Sequence, residues 1–169
     1  APSQADASLK ALIFDVDGTL AETERDGHRP AFNQAFLDAK LDWNWSIERY
    51  GELLEVSGGK ERIRAFVQQS KPNFVLPDGF EDLTAFIKHL HGIKTQYYKQ
   101  FAQEGRIPLR PGVERLLNEA RKEGVRLAIA TTTTPANVQA LLENTLGKES
   151  LNWFEVIAAG DMVPKKKPA

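Results

Sequence analysis

Strand-type and helix-type hydrophobic patterns are segregated along this chain, and the segregation constrains its fold. Apolar runs at residues 9–14, 125–130 and 154–158 indicate three short buried strands. Helix patterns at 111–122 and after Pro135 separate the later strands. Because strands that alternate with helices form parallel sheets, we predict an α/β fold with a Rossmann-like parallel sheet.

The stretch between the first strand and Gly105 has helical periodicity almost throughout, with Ser46 as a candidate N-cap of its second helix. Apolar residues share one face in each of four segments. These are Phe32, Ala35, Phe36 and Ala39; Ile47, Tyr50, Leu53 and Leu54; Ile63, Phe66 and Val67; and Leu83, Phe86, Ile87, Leu90, Tyr97 and Phe101. We expect Trp43 and Trp45 to pack among them. The sequence therefore predicts an all-helical domain inserted after the first strand.

The predicted organisation has three parts. Residues 1–8 form a disordered lead, residues 9–21 and 106–169 form the α/β core, and residues 22–105 form the inserted helical domain.

Composition narrows the class of partner. The chain has 169 residues, 41% hydrophobic and 27% charged, with a formal net charge of -1, which favours a small-molecule partner over nucleic acid or a membrane. It contains no cysteine, so disulfides are excluded and a reducing compartment is favoured. No apolar run reaches membrane-spanning length, and the first residues lack the apolar region of a secretory signal. We expect a cytoplasmic monomer, or a plastid stromal one if the source is photosynthetic and eukaryotic.

Two carboxylates, Asp15 and Asp17, directly follow the first strand. Ligands of open α/β sheets bind at the carboxyl ends of the strands, and side chains two residues apart on extended backbone point the same way. One alternative is a simple turn. The other alternative is a calcium-binding loop that begins at Asp15. Such a loop requires Asp or Asn where this chain has Thr19, Gly where it has Leu20, and Glu where it has Asp26, so the pattern does not match.

The string DVDGT after an apolar strand, with a helical insertion following it, resembles the haloacid dehalogenase superfamily of phosphatases and phosphomutases. The resemblance implies that fold with a helical cap domain, Asp15 as nucleophile and Asp17 as general acid/base. It also implies Mg²⁺ held by Asp15 and Asp17, the latter through its backbone carbonyl, and an aspartyl-phosphate intermediate. A cation is needed because a carboxylate must approach an anionic phosphoryl group.

The second predicted strand runs directly into four threonines at 131–134. They resemble the second motif of the superfamily, in which a hydroxyl and the next backbone N–H bind the phosphoryl group, and this implies phosphate-binding roles for Thr131 and Thr132. We interpret Thr133 and Thr134 as strand extension and helix cap.

Near the end of the sequence, Lys167 precedes Pro168 and resembles the Lys-Pro of the third motif, which implies a phosphate contact. We interpret Lys165 and Lys166 as surface residues. The acidic pair of the fourth motif does not occur before Ala169. We therefore expect a core that lacks its C-terminal strands, and the activity of this chain is left open.

The stretches AETERDGHR and SGGKER resemble the CbbY-like proteins, best known for dephosphorylating xylulose 1,5-bisphosphate. The resemblance implies substrate contacts for Glu22 and His28, against the alternative of solvated or capping residues. Gly59, Lys60 and Arg62 would form an anion site at a helix start, against the alternative of a flexible hinge.

The sequence thus predicts a Mg²⁺-dependent phosphatase for a small phosphorylated sugar, most closely a sugar bisphosphate such as xylulose 1,5-bisphosphate. One alternative is a phosphosugar mutase resembling β-phosphoglucomutase. An alternative of another class is an inactive fragment or a binding or regulatory module.

Overall fold

The computed structural model describes residues 8–162 and Lys167. Its strands are β1 (Ala11–Phe14), β2 (Arg126–Thr131) and β3 (Val156–Ala159). Its α-helices are α1 (Arg29–Asp38), α2 (Ile47–Leu53), α3 (Gly59–Ser70), α4 (Leu83–Gln103), α5 (Val113–Lys122) and α6 (Pro135–Leu146). A π-helix covers Glu24–His28, and 3₁₀ helices cover Lys148–Trp153 and Gly160–Met162. Among the described helices, even the 21-residue α4 falls short of the sustained apolar length needed to cross a bilayer. The predicted lead lies outside the described residues except for Ser8, and so do Lys165 and Lys166.

The three strands form a parallel sheet in the order β1-β2-β3, so the predicted parallel α/β core is confirmed. Phe14 pairs with Ile129, which pairs with Ile157, so the carboxyl ends of all three strands meet at one edge. The predicted first strand is two residues too long, because pairing begins where Arg126 N–H donates to the Lys10 carbonyl oxygen.

One face of the sheet is covered by helices and the other is open within the described residues. Leu127 and Ile129 are buried on the covered face, where α5 and α6 pack against β2 and β3. Ile13, Ala128 and Val156 lie in register on the other face, where the two outer residues are 71% and 58% exposed.

Polar side chains fix the starts of three helices. The Ser46 hydroxyl accepts from Arg49 N–H, and the Thr134 hydroxyl accepts from Asn137 N–H, as predicted for both caps. Asp82 caps α4 in the same way. These caps satisfy amide groups that a helix start leaves without partners.

The buried apolar residues form two clusters. The first surrounds the sheet and includes Leu117, Leu127, Leu141, Tyr98 and Phe101. The second lies among the helices and includes Phe32, Phe36, Trp43, Trp45, Phe66 and Phe86. The predicted packing of the two tryptophans is therefore confirmed. Helix α4 contributes to both clusters, and the division into a core and an inserted domain stays a prediction.

Candidate active site

The carboxyl end of β1 presents Asp15 to solvent beside a lysine. Oδ1 of Asp15 accepts from Val16 N–H at 2.7 Å, and Oδ2 lies 3.1 Å from Nζ of Lys167. The same Nζ donates to the Ala130 carbonyl oxygen at the end of β2, at 2.9 Å. Because the Asp15 side chain is 44% exposed, a ligand has access to this carboxylate. The structure thus brings the predicted nucleophile and the predicted phosphate-binding lysine together.

Asp17 is held in a different environment, two residues further on. Its Oδ1 accepts from the Thr23 hydroxyl at 2.5 Å and from Nε2 of His28 at 2.9 Å. Burial alone raises the pKa of Asp17, but its interactions with His28, the Thr23 hydroxyl and the charge of Lys94 together lower it from 3.8 to about 2. Asp17 is therefore ionised at neutral pH.

The second ring nitrogen of His28 faces Lys94 of α4. Nδ1 lies 2.8 Å from the buried Nζ, so Lys94 donates to Nδ1 while Nε2–H donates to Asp17. The ring of Tyr98 stacks on His28 at 4.5 Å, and Nζ of Lys94 lies 4.9 Å from the Phe32 ring centroid. Burial lowers the pKa of Lys94 from 10.5 to about 8. A continuous hydrogen-bonded path thus connects α4 with Asp17.

The π-helix after β1 borders a cleft that lies between the β2–α6 turn and the inserted helices. Glu24 and His28, at its two ends, both line the cleft. Gly27 makes the close packing possible, since a Cβ atom there would lie 2.6 Å from Ile107 and 2.8 Å from Tyr98. Single π-turns of this kind are frequent at functional sites.

The cleft itself lies between the β2–α6 turn and the inserted helices. Six of its lining residues are Asp17, Glu24, His28, Lys60, Lys94 and Thr132. Thr131 does not line the cleft; it is buried, and its hydroxyl accepts from Thr133 N–H at 3.2 Å. The phosphate-binding roles of Thr131, Thr132 and Lys167 stay predictions.

The helix start at Gly59 also reaches the cleft. Gly59 and Lys60 line it, and a Cβ at Gly59 would lie 2.7 Å from Nε2 of His91, so only glycine fits without displacement. Gly58 precedes them with φ +99°, a left-handed conformation that favours glycine. The predicted anion site at this position stays a prediction.

Arg62, the third predicted member of that site, is buried. Its guanidinium donates to the carbonyl oxygens of Leu53 and Val56 and to the Tyr50 hydroxyl. These hydrogen bonds fix the segment that connects α2 with α3. Substrate binding by Arg62 is untested.

The structure does not bring Glu22 into the cleft. Its carboxylate lies 3.2 Å from Nη1 of Arg110, and the same guanidinium group also donates to the Gly18 carbonyl oxygen. Leu109 forms an isolated antiparallel bridge with Ala21, so the ion pair lies where the two connections to the helical part run side by side. Substrate contact by Glu22 stays a prediction.

Sequence reasoning missed Glu24 and Lys94, which line the cleft, and Tyr50, whose hydroxyl donates to Glu24. Lys94 had a signal, because it lies between Leu90 and Tyr98 at helical spacing on the apolar face of α4, where a lysine is unexpected. Glu24 had none, since the π-turn that orients it leaves no sequence pattern.

Asp15 and Asp17 fit the ligand preferences of Mg²⁺, which takes oxygen donors from one or two carboxylates and completes its shell with water and substrate phosphate. Asp15 would contribute its exposed carboxylate. Asp17 would contribute its main-chain carbonyl, because its side chain is bound to Thr23 and His28. Within residues 8–162 and Lys167, no three His, Asp or Glu side chains cluster closely enough to hold a metal on their own.

Comparison with known proteins identifies the family. The model of the haloacid dehalogenase-like hydrolases matches residues 9–169, from the first strand through the Lys-Pro motif. This chain belongs to the haloacid dehalogenase-like hydrolase family. The predicted superfamily membership and fold are therefore confirmed.

Within this hydrolase family, the chain is similar to CbbY proteins. Protein CbbY of Rhodobacter capsulatus is 53% identical over 161 residues, which are 95% of this chain and 67% of that protein. The crystal structure of CbbY from Rhodobacter sphaeroides in complex with phosphate is 46% identical, with a TM-score of 0.84 over 96% of this chain and 68% of that one. A mutant of the same protein in complex with xylulose-(1,5)bisphosphate is 45% identical, with the same TM-score and coverage. The chain thus spans about two thirds of the length of these relatives.

Proposed function

We propose that this chain carries the nucleophile of a Mg²⁺-dependent phosphatase that hydrolyses a small phosphorylated sugar, with xylulose 1,5-bisphosphate as the substrate. The observation that carries the proposal is the pairing of an exposed Asp15 carboxylate with the Lys167 ammonium at 3.1 Å, beside an Asp17 held by Thr23 and His28. Family membership and the similarity to a CbbY crystallised with xylulose-(1,5)bisphosphate support it.

In the first step, an oxygen of Asp15 attacks phosphorus while the bond between phosphorus and the ester oxygen breaks. Asp17 protonates the departing alcohol. The low pKa of Asp17 describes the protein without substrate, and an approaching phosphate anion raises it through like-charge repulsion.

In the second step, water attacks the phosphoryl group on Asp15. Asp17, ionised again, takes the proton from that water, and phosphate and free Asp15 result. The Thr23 and His28 hydrogen bonds keep its carboxylate oriented for both transfers.

Positive charge is required throughout because nucleophile and substrate are both anionic. Lys167 supplies one such charge at Asp15, and bound Mg²⁺ would lower the same repulsion. Thr132 lines the cleft and offers its hydroxyl and backbone N–H to the phosphoryl oxygens. Gly59 and Lys60 line the cleft on the side of the inserted helices, where the second phosphate of a bisphosphate would bind.

The test is release of inorganic phosphate from xylulose 1,5-bisphosphate by the purified protein. We expect release with Mg²⁺, none after chelation, and none from Asp15→Asn protein whose circular dichroism and melting temperature match the wild type. Phosphate release that survives Asp15→Asn would overturn the nucleophile assignment.

Two results would favour the alternatives. Turnover of glucose 1-phosphate that requires a priming sugar bisphosphate would indicate a mutase. If Mg²⁺ and a fluorometallate phosphate mimic together leave the melting temperature unchanged, the site is not assembled, and the chain is a fragment or binding module.

A further inference from the structure

Arg110, on the connection from α4 to α5, contacts the turn at residues 18–22 at three points. Its guanidinium group donates to the Gly18 carbonyl oxygen and lies 3.2 Å from Oε1 of Glu22. Its backbone N–H donates to the Leu20 carbonyl oxygen at 2.8 Å. A single residue therefore holds the beginning, the middle and the end of the turn that follows the two aspartates.

The two ends of this turn are the neighbours of residues that form the proposed acid/base group. Gly18 directly follows Asp17, and Glu22 directly precedes Thr23. The Thr23 hydroxyl donates to Oδ1 of Asp17 at 2.5 Å on the buried side of the turn. Arg110, with a side chain 47% exposed, joins the adjacent residues on the solvent side. The same turn is thus closed by one hydrogen bond inside and by the guanidinium group outside.

The main chain of Arg110 is itself fixed to the α/β core. Pro111 follows it, and a residue before proline is restricted to extended conformations. The Arg110 carbonyl oxygen accepts from Val113 N–H at 3.2 Å at the start of α5, and α5 packs against β2. The guanidinium group therefore acts from a base that is tied to the sheet.

Stability alone is a weak reason for this arrangement. The carboxylate of Glu22 is 45% exposed, and an isolated ion pair between such exposed side chains contributes little to the free energy of unfolding. A guanidinium group is, however, a planar fork of donors with fixed directions, and here it binds a carboxylate and a main-chain carbonyl together. Such a contact restrains geometry more than it adds stability.

We propose that Arg110 is a positioning residue for Asp17, because it holds the main chain on both sides of the hydrogen bond between Asp17 and Thr23. The restraint keeps the Asp17 carboxyl group aligned with the ester oxygen that it protonates when the bond to phosphorus breaks. Glu22 assists by fixing the guanidinium group. The inference rests on the proposed function, and it adds a residue outside the cleft on which proton transfer to the leaving group depends.

The experiment measures kcat/KM in the presence of Mg²⁺ for two phosphate esters. Xylulose 1,5-bisphosphate releases an alcohol that needs a proton, whereas 4-nitrophenyl phosphate releases a stable phenolate that does not. Arg110→Met is compared with the wild type, and Arg106→Met is the matched control. Arg106 lies on the same connection and is also 47% exposed, but it pairs with Glu104 and stacks on Phe101 instead of contacting the turn.

For Arg110→Met we expect kcat/KM for xylulose 1,5-bisphosphate to fall about tenfold to a hundredfold, the usual cost of a misplaced catalytic group. The value for 4-nitrophenyl phosphate should stay near that of the wild type. Arg110→Lys should recover part of the loss, since it keeps the charge without the fork. Glu22→Gln should show the same selective loss to a smaller extent, and Arg106→Met should match the wild type for both esters.

A double-mutant cycle with Thr23→Val identifies the route of the effect. Thr23→Val removes the hydrogen bond inside the turn, and Arg110→Met removes the contact outside it. Because both changes act on the orientation of Asp17, the double variant should lose no more xylulose 1,5-bisphosphate turnover than the more affected single variant. Independent effects would multiply.

An equal loss for both esters, or losses that multiply in the cycle, would mean that Arg110 only supports the fold, and the inference would be wrong. Unchanged turnover in Arg110→Met would also overturn it, while leaving the proposed phosphatase intact. If Arg110→Met does not fold, Arg110→Lys and Glu22→Gln decide by the same comparison. If the wild type releases no phosphate from xylulose 1,5-bisphosphate, the proposed function fails first and the inference with it.

Discussion

Nζ of Lys167 lies 3.1 Å from Oδ2 of Asp15, so residues from opposite ends of the chain form one ion pair at the edge of the sheet. The lysine is also tied to β2 through the Ala130 carbonyl oxygen. Because the aspartate follows β1, the pair connects two neighbouring strands where phosphate would bind. A carboxylate nucleophile beside a fixed cation is the arrangement that attack on an anionic ester requires.

Replacing Lys167 with methionine removes this charge while keeping an unbranched side chain. We expect kcat/KM for phosphate ester hydrolysis to fall about 10²- to 10³-fold, the usual cost of removing one charge-stabilising donor. Steady-state phosphate release measures the effect. Lys122→Met, on the exposed end of α5, serves as the control and should retain wild-type activity. Near-normal turnover by Lys167→Met would show that its ammonium does not act at the phosphoryl group.

The close packing of the π-helix against Ile107 and Tyr98 requires glycine at position 27. Its replacement by alanine would place a Cβ 2.6 Å from Cδ1 of Ile107, inside a buried contact, and we expect the free energy of unfolding to fall by about 1 to 3 kcal/mol. Urea denaturation followed by tryptophan fluorescence measures this. Gly92→Ala in α4 is the matched control, because a Cβ there meets nothing within 4 Å, and helix propensity should raise stability by about 1 kcal/mol. Equal effects of the two substitutions would contradict the packing argument.

Burial of Lys94 should make stability depend on pH. The pKa of Lys94 is about 8 in the folded protein against 10.5 for an ordinary lysine, since burial outweighs the favourable charges of Glu24 and Asp17, while Arg62 lowers it further. Between these values the unfolded chain binds the extra proton, so the free energy of unfolding rises with pH, by up to about 3 kcal/mol across the window.

The comparison for this effect is Lys94→Met, which keeps an unbranched side chain one atom shorter than lysine and removes its titration. The free energy of unfolding of both proteins is measured by urea denaturation from pH 7 to 10.5. The titration of groups that the two proteins share cancels when one free energy is subtracted from the other. We expect the wild type to gain stability relative to Lys94→Met as pH rises. A constant difference across this range would mean that Lys94 titrates normally and is not buried as the structure has it.

Much of the fold could be predicted from the sequence because the decisive signals are local. Apolar runs marked all three strands, and Ser46 and Thr134 marked helix starts through side chains that reach amides three residues away. The predicted strand ends were less accurate, since hydrogen bonding to the neighbouring strand determines where each strand begins and ends. Leu9 is apolar but 61% exposed, because β1 begins two residues later.

The environment of Asp17 could not be predicted, because it depends on contacts between distant segments. His28 reaches it through a π-turn, and Lys94 reaches His28 from the middle of α4. Tyr50 was assigned to the core by its spacing, and it is buried there, yet its hydroxyl also orients Glu24. Periodicity identifies which face of a helix is buried, but it does not identify the polar group at the end of a buried side chain.

The most direct measurement of the central claim is covalent trapping on Asp15. The wild type is mixed with xylulose 1,5-bisphosphate and Mg²⁺ and quenched in acid within milliseconds, before water has removed the phosphoryl group from the nucleophile. The protein is then digested, and the peptides are weighed by mass spectrometry. We expect one phosphoryl group on Asp15, and none in Asp15→Asn protein treated in the same way. A phosphoryl group on another residue, or release of phosphate by the wild type without any trapped species, would contradict the account.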